Sequence, residues 1–145
     1  MASPNDPQIS HYLGIDYGQA KIGLSIGDSE TRMAFGYGML ENNKELLEKL
    51  AEIIRKEDIK KVVIGMPGFR NKGDMGDQEV YKGFGEALQN ILPETEIIFA
   101  DEMFSTKIAQ DNLKEKGMKN VKQFDHQEAA RIILQGWLDS KKSKV

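Results

Sequence analysis

At 145 residues the chain fits one domain large enough for a real core. Its formal net charge of −3 gives no global basic field, so any nucleic-acid contact must be a local patch. There is no cysteine, which excludes disulfides, thiol catalysis and cysteine-ligated zinc, and two histidines, His11 and His126, are too few for a His-rich metal centre.

Residues 1–10 are polar, with Pro4 and Pro7, and lack the basic start and apolar run of a signal peptide. No apolar run approaches membrane-spanning length. The expectation is a soluble, cytoplasmic protein with no membrane contact. Residues 1–10 read as a flexible arm and 11–140 as a single domain. Residues 141–145, with Lys141, Lys142 and Lys144, read as a frayed basic tail.

The stretch Tyr12 to Asp28 predicts a hairpin. Leu13 and Ile15 alternate with Tyr12 and Gly14, and Ile22, Leu24 and Ile26 alternate with Gly23 and Ser25, on either side of a Gly-containing turn. Asp16 ends the first strand, where a carboxylate costs free energy unless something binds it. Gly18 and Gly23 carry no side chain, so a phosphate or a metal could approach the backbone there. A solvated turn aspartate beside two turn glycines fits the same pattern.

Arg32 to Leu40 reads as a third strand, weakened by Gly36 and Gly38. A helix follows over about Asn43 to Glu57, with Leu46, Leu47, Leu50, Ile53 and Ile54 on one face and Asn42 or Asn43 as its cap. Val62 to Gly65 is a short β-branched run, typical of a strand buried on both faces. Gly68 to Gly76 is a Gly-, Asp- and Lys-rich loop. The next helix puts Val80, Tyr81, Phe84, Ala87, Leu88 and Ile91 on one face and ends near Pro93. Glu96 to Ala100 is a strand running directly into Asp101 and Glu102. Ser105 or Thr106 caps a helix closing at Gly117, and a last helix covers roughly Asp125 to Asp139.

This order predicts an α/β fold, a five-stranded mixed sheet flanked by helices. Ligands collect at strand C-terminal ends in such sheets. Asp16 and the Asp101–Glu102 pair both stand at strand ends, and the strands holding Asp16 and Ala100 are expected to be adjacent and parallel. Successive strand residues point to opposite faces, so only one of Asp101 and Glu102 can reach a given site. Carboxylates converging from several elements would suit a hard ion, Mg²⁺ or Mn²⁺.

On the last helix, at 100° per residue, Ala129, Ile132, Ile133, Gly136 and Trp137 form an apolar stripe. Asp125 and His126 lie roughly 50° to either side of it and Glu128 roughly 110° away, toward solvent. Asp125 also fits an ordinary N-cap, and His126 a half-buried structural histidine.

Four motifs now stand in order. They are Leu13-Gly-Ile-Asp16-Tyr-Gly18 with Ile22-Gly23 and Asp28; Val63-Ile-Gly65-Met-Pro67; Asp101-Glu102 with Ser105-Thr106; and Ala129-Ala130 with Ile133-Leu-Gln135-Gly-Trp-Leu-Asp139. Together they resemble the YqgF (RuvX) family of the RuvC-like, ribonuclease H-like superfamily, over nearly the whole chain. The resemblance implies a ribonuclease H-like fold and a metal-dependent nuclease of the bacterial cytoplasm that processes the 5′ end of pre-16S ribosomal RNA. It implies Mg²⁺ or Mn²⁺ as cofactor and nucleic acid as partner, ribosomal RNA precursor ahead of branched DNA, acting as a monomer or weak homodimer.

The family's acidic positions match Asp16 and Glu102. Its third acid lies three residues before the Ala-Ala pair, which here is His126, with an aspartate one earlier at Asp125. The implied catalytic set is Asp16, Glu102, Asp125 and His126, with Asp16, Glu102 and Asp125 on the metal. A hard oxygen suits Mg²⁺ better than imidazole does. Asp125 is therefore the expected ligand, and His126 acts in proton transfer or phosphate contact. Gly18, Lys21, Arg70, Lys72, Ser105 and Thr106 are the substrate-contact candidates. Lys21 and Met103 stand where the family has arginine, and Lys72 where it has aspartate, which removes two bidentate phosphate contacts. Arg70, Lys72, Lys119 and Lys122 are the basic groups that could compensate.

Two other substrate readings compete: a Holliday junction resolvase acting on branched DNA, and a non-catalytic structured-RNA-binding protein with a decayed site. An ATP-binding domain of the sugar kinase/Hsp70 type is set aside, because those proteins clamp ATP between two such domains and no Gly-x-x-x-x-Gly-Lys loop is present.

Overall fold

Alternation in the first two strands decides which side of the sheet each residue faces, and the rest of the protein packs on the result. The computed structural model describes residues 9–66, 75–101 and 121–142, with 75–78, 101, 121–125 and 142 as backbone alone. In sequence order the elements are β1 (His11–Tyr17), β2 (Lys21–Asp28), β3 (Ala34–Glu41), α1 (Leu46–Lys56), β4 (Ile59–Met66), α2 (Met75–Ile91), β5 (Glu96–Asp101) and α3 (Val121–Lys142). The segment expected to form a helix from Ser105 to Gly117 lies outside the described residues.

The strands form one five-stranded sheet in the order β3-β2-β1-β4-β5. The β1–β2 and β2–β3 pairs are antiparallel, and the β1–β4 and β4–β5 pairs are parallel. The mixed five-stranded sheet is as the sequence predicts, with one correction. β1 and β5 are parallel but not adjacent, because β4 lies between them. The hairpin covers one edge of β1, so the first strand to return through a helix, β4, takes the other edge and β5 extends the sheet beyond it. Asp16 pairs with Gly65, and Gly65 pairs with Ala100. The two strand ends are therefore level, and about 10 Å apart at the usual strand spacing.

Leu13, Ile15, Ile22, Leu24, Val62 and Ile64 form one face and pack with Leu46, Leu50 and Ile54 of α1 and Phe84 and Leu88 of α2. On the other face Val63 and Ala34 pack with Ile133, Leu134 and Leu138 of α3. β3 carries a register shift, pairing Leu24 with Gly38 and Ser25 with Gly36, and Gly38 takes a φ of 140° there.

Helix ends and faces also differ from the sequence reading. α1 starts at Leu46, and its N-cap residue, Glu45, makes no side-chain capping bond. Asn43 Oδ1 instead accepts the Glu45 N–H, while Asn42 Nδ2 donates to the Gly18 carbonyl. On α2, Phe84 and Leu88 are buried, while Val80 (53% exposed) and Ile91 (41%), nearer its ends, are not.

α3 is longer than expected, and its buried face is Ala129, Ala130, Ile133, Leu134 and Leu138, with Gly136 exposed. The face turns toward the alanines because the wall it meets is made of small residues, Gly14, Gly23, Ser25 and Gly36, which admit a close backbone. Glu128 is half-buried rather than solvated, because Arg131 one turn on holds its carboxylate. Among the described residues no helix is long and apolar enough to cross a membrane.

Candidate functional site

β1 alternation sends Leu13 and Ile15 to the α1/α2 face and leaves Gly14 and Asp16 for the α3 face. Asp16 ends up 6% exposed at the C-terminal end of β1, beside the first turns of α3. An unpartnered carboxylate at that depth would be costly. Its partner is His126, whose Nδ1 lies 2.7 Å from Asp16 Oδ2. An ionised carboxylate only accepts, so Nδ1 is the donor of this bond. The His126 side chain is 37% exposed, so the pair is reachable from solvent on the imidazole side.

Small residues create this contact. A Cβ on Gly23 would overlap the backbone carbonyl of His126. A Cβ on Gly18 would lie 2.8 Å from His126 Cε1. The space expected to admit a ligand at Gly23 is thus filled by the backbone of α3, and the space at Gly18 holds the His126 ring. Ser25 Oγ donates a buried hydrogen bond of 2.6 Å to the Ala130 carbonyl, which fixes α3 along β2. Asn42 Nδ2 donates to the Gly18 carbonyl at 2.7 Å, and the Asn42 N–H donates to the Ala20 carbonyl at 2.9 Å. Together these tie the hairpin turn beneath the pair to the end of β3.

Of the sequence candidates, the structure brings together Asp16, His126 and Gly18. Lys21 begins β2 at the same end of the sheet and is exposed. Asp125 lies within α3, which begins at Val121, so it is not the helix N-cap. The side chains of Asp125 and Lys122 lie outside the described residues, as do Arg70, Lys72, Glu102, Met103, Ser105, Thr106 and Lys119. Among the described residues no three His, Cys, Asp or Glu groups stand close enough together to hold a metal.

Ser25 and Asn42 were missed as supports of the site. Ser25 lies between Gly23 and Gly27 on the side of β2 that α3 covers, and a hydroxyl flanked by glycines in that row is a signal that could have marked a fixed contact. Asn42 offered none, because an asparagine after a strand reads equally well as a helix cap.

Residues 10–140 match the model of the family described as RuvX: Holliday junction resolvase. A protein of Sulfurihydrogenibium sp. (strain YO3AOP1) is 36% identical over 133 residues, covering 90% of this chain and 91% of its own length, and is named "Putative pre-16S rRNA nuclease". A protein of Staphylococcus carnosus (strain TM300) with the same name is 38% identical over 135 residues, covering 88% of this chain and 94% of its own. Among solved structures, T. thermophilus RuvC in complex with Holliday junction substrate is similar at a TM-score of 0.61 and 13% identity, covering 92% of this chain and 96% of that one. The fowlpox virus resolvase in complex with Holliday junction DNA reaches 0.52 at 12% identity, covering 90% and 98%. At such identities these two likenesses concern the fold alone, and that fold is ribonuclease H-like.

Proposed function

The chain belongs to the RuvX family, and on that premise we propose that it is a nuclease acting on a structured ribosomal RNA precursor at the 5′ end of pre-16S rRNA. The observation that carries this reading is the buried Asp16 carboxylate at the C-terminal end of a central strand, held by His126. Open α/β sheets collect their ligands at that edge.

The donor chemistry fits a divalent cation as far as the described side chains go. Asp16 offers the hard oxygen that Mg²⁺ or Mn²⁺ prefers, and one or two carboxylates with water and phosphate oxygens are an ordinary Mg²⁺ set. We assign Glu102, which follows the last residue of β5, and Asp125 as the further carboxylates. Such an ion would act as a Lewis acid on the scissile phosphate and lower the pKa of a bound water.

The protein's own part is positioning. His126 donates to Asp16 Oδ2 and so fixes the plane of that carboxylate and aims its other oxygen, the arrangement by which outer partners orient a metal ligand. The half-exposed imidazole is also the group proposed to exchange a proton with a water at the site. Lys21, Arg70, Lys72, Ser105 and Thr106 are the groups proposed to contact substrate phosphates, with lysine as a point charge where a guanidinium would bind in bidentate fashion.

The test is cleavage of a 5′-extended 16S precursor fragment with Mn²⁺ or Mg²⁺, run beside a four-way DNA junction, for the wild type and Asp16→Asn. Metal-dependent cutting of the RNA that Asp16→Asn loses is expected. Cutting of the junction alone would move the substrate to branched DNA. No metal-dependent cutting of either would leave a binding protein.

A further inference from the structure

Trp137, the only tryptophan of the sequence, sits on the α3 face of the sheet, far from the Asp16–His126 pair. It stands eleven residues beyond His126, roughly 16 Å along the helix. Tyr12 stands four residues before Asp16, roughly 13 Å back along β1. The two rings meet edge to face, 5.0 Å between centroids.

Two ammonium groups lie over the same indole. Lys61 reaches it from β4, 5.6 Å from the centroid, and Lys141 from the next turn of α3, at 5.3 Å. Arg32, in the β2–β3 turn, joins Tyr12, Trp137 and Lys141 in lining a cavity of about 100 Å³ there. Among the described residues, the acidic group paired with these cations is Glu96, 3.9 Å from Lys61 Nζ and largely exposed. A pair of that kind contributes little. The indole is thus flanked by ammonium groups reaching it from two elements, with the Arg32 guanidinium lining the cavity beside it. In a protein of net charge −3 this is a local basic and aromatic patch, of the kind that binds a nucleic-acid strand.

We propose that Trp137, Lys61 and Lys141 form a second contact for single-stranded RNA, holding the strand that flanks the scissile phosphate. The inference rests on the nuclease reading for the identity of its ligand. The lysines take backbone phosphates, and the Trp137–Tyr12 pair gives an apolar edge for a base. At about 3.4 Å per stacked nucleotide, the gap of 13–16 Å spans roughly four to five nucleotides. Only substrates extending that far on one side reach the patch.

The experiment reads Trp137 emission, which reports on this patch alone because the sequence has no other tryptophan. Asp16→Asn protein, which leaves RNA uncut, is titrated with single-stranded RNAs of roughly two and roughly twelve nucleotides, below and well above that gap. The longer RNA is expected to change Trp137 emission and the shorter one not. Adding Lys61→Ala and Lys141→Ala should abolish the change and lower the salt slope of binding by about 1.4, for two lost phosphate contacts on a single strand.

Binding of the longer RNA with unchanged emission, an unaltered slope in the lysine variant, or no RNA binding at all overturns the patch. If wild-type protein cuts the precursor while any of these holds, only this inference falls. If Trp137 responds as expected and wild-type protein cuts nothing, the patch stands and the nuclease reading falls.

Discussion

Asp16 and His126 are 110 positions apart in the sequence and 2.7 Å apart in the fold, carboxylate to imidazole Nδ1. Neither element could make the contact alone. β1 delivers the carboxylate to the α3 face by alternation, and α3 can come close enough to meet it because Gly18 and Gly23 carry no Cβ. The contact joins the strand side of the site to the helix side, and a disturbance in either should be felt in both.

Replacing Asp16 by Asn should stop the chemistry and spare the fold. The amide oxygen still accepts from His126 Nδ1, so the melting temperature should correspond to within about 1 kcal/mol of the wild type. The negative charge is gone. Cleavage should fall by at least about 100-fold, the scale on which losing one preorganised electrostatic group acts. Calorimetry should find no Mn²⁺ binding at the site. Unchanged metal affinity in Asp16→Asn would place the ion elsewhere.

His126 and Asp125 are separable by what each loss does. His126→Ala removes the donor that orients Asp16 and should cost roughly 10–100-fold in activity, as losses of such outer partners do. His126→Asn puts an amide N–H close to where Nδ1 was, so it should recover part of that loss if positioning is the role. It should fail like alanine if Nε2 carries a proton. Asp125 lies past the first turn of α3, beyond the N–H groups that need a cap. Asp125→Asn should therefore raise the Mn²⁺ concentration needed for activity without lowering the melting temperature. A large drop in melting temperature for Asp125→Asn would show a structural role instead.

Period-two alternation made the sheet legible, because Leu13, Ile15, Ile22 and Leu24 must share one buried face whatever lies on the other. Asp16 was legible for the same reason: a carboxylate at the end of such a strand needs a partner. Strand order was not, since nothing in Val62 to Gly65 says which edge of β1 is open. The face of α3 was misjudged toward Ile132, Gly136 and Trp137, because helical spacing says which residues share a stripe but not which stripe meets the sheet. Here the opposing wall of glycines and Ser25 admits Ala129 and Ala130 most closely. The role of Gly23 was hidden for a related reason. An empty Cβ position reads the same from sequence whether a phosphate or a helix backbone fills it.

Tyr37 gives a pH-dependent contribution on the opposite face. Its Oη donates to Glu57 Oε2 at 2.8 Å, and this bond, with burial and the nearby Glu57 charge, raises the phenol above its usual range. A raised native pKa means the folded state holds the proton where the unfolded state has begun to lose it. The stabilisation is thus complete below about pH 10 and is lost as pH rises through the native value. Tyr37→Phe should cost about 1 kcal/mol at pH 8. The gap between the two melting temperatures should narrow above pH 10. A gap that stays constant to pH 11 would mean the phenol–carboxylate bond contributes nothing.

Gly23→Ala tests whether helix approach and site assembly are one event. The added methyl would overlap the His126 backbone, which cannot swing aside as a side-chain end can, so α3 must lift from β2. Overpacking of this kind costs about 1–3 kcal/mol, or roughly 4–12 °C in melting temperature for a protein of this size. Ser25→Ala is the control. It removes the hydrogen bond to the Ala130 carbonyl, worth about 1 kcal/mol, and adds nothing that pushes. Both proteins should fold. Assayed well below their melting temperatures, Ser25→Ala should keep most of its activity, while Gly23→Ala should lose activity to the extent that His126→Ala does, because lifting the helix draws the imidazole away from Asp16. A fully active Gly23→Ala protein that melts with the wild type would mean that the close approach of α3 neither limits the packing nor sets the Asp16–His126 contact.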